Sequence, residues 1–262
     1  MLRKLMKYEF MAMGRVFLPL FAALIVVSIV NRILASLPAL APVTIGMVLL
    51  GILIASIAVL TLILTLQRFR NNLLSNEGYL MMTLPVSTDR LILSKLFVAA
   101  IWSAASTFIV TLSILIMTMT SDVWRVISDV FKQILELIAL EPFTTFVYAV
   151  EIPVLSAITI FSGILMLYAC MSLSMLVNKR RGLFTFGAFI VISTVLQTLF
   201  AVALSIIQSL KIDEWFERTF SDLSDFALSQ VVMSIYLVIT LGLCAGFYYI
   251  TRFMLKNRLN LQ

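Results

Sequence analysis

Residues 43–66 read V-T-I-G-M-V-L-L-G-I-L-I-A-S-I-A-V-L-T-L-I-L-T-L, 24 positions without one ionisable side chain. As an α-helix this run extends roughly 36 Å, enough to cross a hydrocarbon core of about 30 Å. Inside a bilayer no water is available to satisfy a backbone left open, so such a run has to be helical. Working outward in both directions, comparable apolar runs occupy 16–37, 91–120, 152–177, 183–208 and 229–251. The expectation is therefore an all-α membrane protein, with residues 1–262 forming a single transmembrane domain of six spans. Composition agrees. Of 262 residues 62% are hydrophobic and 12% charged, too little polar surface for a water-soluble exterior.

The charges that remain are sorted by position. One side of the proposed membrane holds the N-terminal stretch, the loop 67–95, the turn Lys179-Arg180-Arg181 and the C-terminal tail. It carries fourteen of the nineteen bases and three acids, Glu9, Glu77 and Asp89. The opposite side carries five bases (Arg32, Arg125, Lys132, Lys211, Arg218) and ten acids. Lys and Arg accumulate on the cytoplasmic face, so both termini are expected inside. The net charge of +6 arises from these span-end bases, a membrane pattern that speaks against a nucleic-acid partner.

Several chemistries are hard to build from this inventory. The chain has no histidine, which removes the usual zinc sites, His-based acid–base catalysis and Ser-His-Asp triads. Cys170 and Cys244 each sit inside an apolar run and read as small buried side chains, with no disulfide framework or metal site implied. Arg3, Lys4, Lys7 and Arg15 precede the first apolar run as in a signal peptide. That run is too long for a cleaved leader, however, and Pro42 follows Ala39-Leu-Ala41, so a retained first span is expected.

Four segments lie outside the spans. In 1–14, Leu2, Leu5, Met6, Phe10 and Met13 share a helical face away from Arg3, Lys4 and Lys7, the pattern of an interfacial helix on an anionic leaflet. Within the outer segment 121–142, Trp124, Ile127, Phe131, Ile134 and Ile138 recur at helical spacing and Pro142 closes the helix. A second outer segment, 210–228, sets Trp215, Phe216, Phe220 and Leu223 opposite acids. Both are expected on the outer membrane interface.

The fourth segment is the loop 67–95, Q-R-F-R-N-N-L-L-S-N-E-G-Y-L-M-M-T-L-P-V-S-T-D-R-L-I-L-S-K. Gly78 can end the helix that enters it, Pro85 ends the apolar stretch, and Ser87 with Asp89 can start the helix that leaves it. Between them Tyr79, Leu80, Met81 and Met82 form an apolar bend on a polar loop, as a partner-binding surface does.

The stretch N-E-G-Y-L-M-M-T-L-P-V-S followed by L-I-L-S-K-L resembles the loop between spans two and three of ABC-2 type permeases of Gram-positive bacteria. The rest of the chain is similar in architecture. The resemblance implies a permease subunit in the bacterial cell membrane, paired with a second copy or a related permease and joined to a separate ABC ATPase subunit. It implies that Glu77, Tyr79, Leu80, Met81, Met82, Leu84 and Pro85 form the coupling helix that seats in that ATPase. It also implies ATP and Mg on the partner, no cofactor here, and export of an amphipathic or apolar cargo such as a peptide, lipid or drug. The 121–142 helix departs from the smallest members. Consistently, the chain holds no G-x-x-x-x-G-K-[ST] phosphate loop.

Glu151 is an isolated acid in the apolar stretch 143–177. It is expected at the start of a helix beginning near Ile152 with Pro153 in its first turn, and it is also a candidate pathway carboxylate. Two other function classes stay open. A non-transporting scaffold or sensor could bind an ATPase-like partner through the same loop. An intramembrane enzyme would need a nucleophile with a base, but Ser94 and Lys95 are adjacent on a helix and point apart.

Overall fold

The computed structural model describes residues 2–35, 40–71, 88–177, 181–209 and 225–257. These residues are almost wholly helical, with no strand among them. In chain order the helices are α1 (Leu2–Leu34), α2 (Leu40–Phe69), α3 (Thr88–Thr118), α4 (Ser121–Leu140), α5 (Pro142–Leu173), α6 (Arg181–Ser209) and α7 (Asp225–Asn257). A 3-10 turn, Ser174–Leu176, follows α5. All but α4 contain a stretch long and apolar enough to cross a membrane, which makes six candidate spans.

Two boundaries differ from the sequence expectation. Helix α1 runs unbroken from Leu2 to Leu34, so residues 2–14 continue the helix of the first span instead of forming a separate element. Gly14, which could have broken it, is placed where a Cβ would come within 3.2 Å of the Trp102 indole. The glycine therefore serves close packing. Helix α5 starts at Pro142, ten residues before the expected Ile152, because proline's missing N–H costs nothing in a first turn. Pro153 is then interior to the helix, and Glu151 is a mid-helix residue and not a helix-start acid.

The chain divides into two compact units at Pro153. In the first unit α1 packs on both α2 and α3, and α2 also meets α3. Its core takes Met13, Phe17, Phe21 and Leu24 from one stripe of α1, Leu50 and Ile57 from α2, and Val98 and Trp102 from α3. Trp102 is the centre: its ring stacks on Phe17 at 5.1 Å and meets Phe10 at 4.9 Å and Phe21 at 6.1 Å. Thr61 of α2 and Ser106 of α3 add an interhelical hydroxyl contact at 3.2 Å.

Helix α4 follows after two non-helical residues. The Thr120 hydroxyl caps it by accepting from the Val123 N–H at 3.3 Å. Asp122–Arg125 and Asp129–Lys132 pair along its polar side, and none of its residues is buried. As expected, it ends just before Pro142. At that junction the Thr145 hydroxyl donates to the carbonyls of Leu137 and Glu141, joining the end of α4 to the start of α5.

In the second unit α5 and α7 are joined by the Thr159 and Tyr236 hydroxyls at 2.8 Å, and the Cys244 thiol donates to the Ile158 carbonyl at 3.6 Å. Helix α6 packs back on the 3-10 turn. Between them a groove of about 670 Å³ is lined by apolar side chains, among them Leu173, Val177, Phe184 and Val191.

Candidate functional site

The residues of the expected coupling bend, Glu77, Tyr79, Leu80, Met81, Met82, Leu84 and Pro85, lie outside the described residues, as does most of 210–228. The helices on either side of the bend are described. Asp89 stands in the first turn of α3, where its charge favours the helix N-terminus. Arg68 stands in the last turn of α2, where a cation favours the C-terminus.

Arg68 and Lys95 converge on one carboxylate. The Lys95 Nζ donates to Glu9 Oε1 at 2.6 Å, and Arg68 Nη1 lies 3.7 Å from Glu9 Oε2. The side chains are 4% (Lys95), 11% (Glu9) and 35% (Arg68) exposed. A lysine this deeply buried is tolerable only because a carboxylate meets it at hydrogen-bond distance; alone it would bear the full cost of desolvation. Arg68 keeps contact with solvent, so its attraction to Glu9 is weaker and more easily given up. The cluster therefore has a tight arm and a loose arm.

Sequence reasoning does not find this cluster. It puts Lys95 on the helix of the third span, at the end of the segment 67–95, but gives it no partner, whereas α3 buries it seven residues past Thr88. A signal exists. Glu9 stands four residues before Met13 and continues the stripe Met13, Phe17, Phe21, while Lys95 precedes Val98 and Trp102 by three and seven residues. A charge that continues an apolar stripe at helical spacing is placed to be buried, and it then needs a partner.

At the far end of the same three helices sits a second polar feature. Asn31 is 2% exposed, and its Nδ2 lies 3.7 Å from the Met117 sulfur. Its Oδ1 has no hydrogen-bond partner among the described residues and is pressed against Gly46 of α2, where a Cβ would collide with it. The buried Ser113 hydroxyl, one turn before Met117, also lacks a partner among the described residues. An apolar groove of about 430 Å³ runs beside Asn31 between α1 and α2.

The remaining candidates do not assemble into a reactive centre. Ser94 donates to the Leu91 carbonyl at 2.8 Å while Lys95 turns to Glu9, so the neighbours serve separate partners. Glu151 is half-buried in the interior of α5. Among the described residues no three His, Cys, Asp or Glu side chains gather as a metal site would require. The arrangement is suited to holding helices in a fixed relation at the two flanks of a loop. Comparison with known protein families, with curated proteins and with solved structures returned no match for the chain.

Proposed function

We propose that the chain is the membrane-spanning permease subunit of an ABC transporter, coupling ATP hydrolysis on a separate subunit to export of an amphipathic or apolar compound. The observation that carries this reading is the sequence N-E-G-Y-L-M-M-T-L-P-V-S between α2 and α3. An apolar bend joined directly to two spanning helices is what a force-transmitting contact requires. The flanking cations Arg68 and Lys95, both held on Glu9, support it, because a lever needs a fixed root. The charge asymmetry of the sequence supports cytoplasmic termini in the bacterial cell membrane. The exposed apolar side of α4 supports its lying on the outer interface.

In this reading the ATPase partner holds ATP and Mg and grips the bend through Tyr79, Leu80, Met81 and Met82. Two permeases, identical or related, enclose the path for cargo. The test is a mild-detergent capture of the tagged chain followed by mass spectrometry. An ATPase with a phosphate loop is expected in roughly equal amount, as an obligate subunit would be. The Leu80→Asp/Met81→Asp variant should insert normally yet lose that ATPase. Capture that the double variant leaves unchanged would place the contact elsewhere. Absence of any ATPase from the wild-type preparation would overturn the transport reading.

A further inference from the structure

The segment 72–87 is flanked by two cations that share one anion: Arg68 precedes it by four residues and Lys95 follows it by eight. That anion, Glu9, belongs to neither flanking helix but to α1. Each flank of the segment is therefore tied to a third helix through the same carboxylate.

The two ties differ in how they resist force. Lys95 and Glu9 are both nearly buried and 2.6 Å apart, so separating them strands two charges in a medium that solvates neither. Arg68 is about a third exposed and 3.7 Å away, so water can replace Glu9 at modest cost. The aromatic packing of Trp102 on Phe10 and Phe17 continues the strong tie down α1 and α3, so those helices behave as one body near the cluster.

We infer that Glu9 is a positioning residue of the transport cycle: it ties α3 to α1 tightly through Lys95 and holds the end of α2 through Arg68 as a latch that opens first. This inference rests on the proposed permease function. In mechanism, the end of α2 moves relative to the α1–α3 pair. The Arg68–Glu9 contact breaks while Lys95–Glu9 holds, and re-forming the contact resets the subunit.

Two measurements separate this inference from the reading beneath it. The first needs no partner: hydrogen exchange of the full chain in lipid nanodiscs, followed by mass spectrometry. Arg68→Gln should speed exchange at 67–71 about tenfold and leave 88–95 as in the wild type, whereas Glu9→Gln/Lys95→Met should speed both. The double variant removes both charges together and so leaves no orphan to unfold the helix pair. The second uses whatever ATPase the wild-type chain captures. Arg68→Gln should bind it in wild-type amount but lose the chain-dependent increase in ATP turnover by about tenfold, and Arg68→Lys should restore most of it.

Unchanged exchange at 67–71 in Arg68→Gln overturns the latch. So does full stimulation of ATP turnover by that variant. Accelerated exchange throughout α1 with parallel loss of ATPase capture would mark a purely structural role and overturn it as well. If the wild-type chain captures no ATPase, the permease reading fails, while the exchange experiment still decides whether Arg68 and Lys95 are unequal ties.

Discussion

Helices α1 and α6 each hold an 18-residue window of nearly equal mean hydropathy, 2.3 within Met6–Leu34 and 2.2 within Gly182–Ile206. A third of the first window is buried within the chain and none of the second. Hydropathy therefore reports compatibility with lipid and says nothing about which helix meets which. Lipid is as apolar as leucine, so helices in a bilayer associate through close van der Waals fit and polar contacts and not through escape from water. Helix α1 has both means: Gly14 admits the Trp102 ring, Glu9 meets Lys95 and Asn31 lies on Gly46. Helix α6 shows outward-facing Phe186, Leu199 and Phe200, and a Cβ on its Gly182 or Gly187 would meet nothing within 4 Å.

If polar fit makes the difference, the largest effect should follow from removing the most buried charge pair. Glu9→Ala leaves Lys95 with a buried, uncompensated ammonium and should destabilise the chain by about 3–5 kcal/mol. Reversible unfolding in mixed micelles measures this. The paired replacement Glu9→Gln/Lys95→Met should recover much of the loss, because no charge is then left stranded. A Glu9→Ala protein as stable as the wild type would show that the three-helix unit is held by shape alone.

Shape is tested next. Trp102→Ala opens a large space among Phe10, Phe17 and Phe21 and should cost about 3 kcal/mol in the same assay. Trp102→Phe should cost less than about 1.5 kcal/mol. It keeps a stacking ring and discards an indole N–H that has no hydrogen-bond partner among the described residues. Should the two substitutions cost the same, ring stacking would not be what organises the core.

A finer contrast lies within α2. Gly46→Ala drives a methyl group into the Asn31 side chain and should cost about 1–3 kcal/mol. Five residues on, a methyl group on Gly51 would meet nothing within 4 Å, so Gly51→Ala should be neutral or gain up to about 1 kcal/mol from helix propensity. Opposite signs for two glycines on one helix would place the α1–α2 contact at the Asn31 level without a new structure.

These contacts also mark where the sequence is legible. The six spans are, because a bilayer demands a minimum length of uncharged helix and the runs supply it. The start of α5 is not, since Pro153 and Pro142 are both acceptable at a first turn and only packing distinguishes them. Trp102 and Phe17 are more than eighty residues apart, and no periodicity within one helix identifies its partner. Glu9 and Lys95 are visible only as end-of-span charges. Their positions on the stripes of Met13 and Trp102 show that they point inward, though not that they point at each other. The stretch 79–84 is the reverse case: its sequence is the most telling in the chain, and its residues lie outside those described.

The smallest expected effect bears on α6 and decides what its bare side is. Leu199 and Phe200 are 61% and 66% exposed, so their replacement by alanine removes contacts with lipid and few with protein. In a chain that works alone, each should change stability by no more than about 0.5 kcal/mol. If the chain functions as a pair and α6 contributes to the joint, the loss should instead exceed about 1 kcal/mol and shrink as the protein is diluted in detergent, since dilution separates copies before it unfolds them. A loss that does not depend on dilution would mean that α6 is covered within the chain itself. In that case the contrast with α1 would no longer separate packed helices from lipid-facing ones.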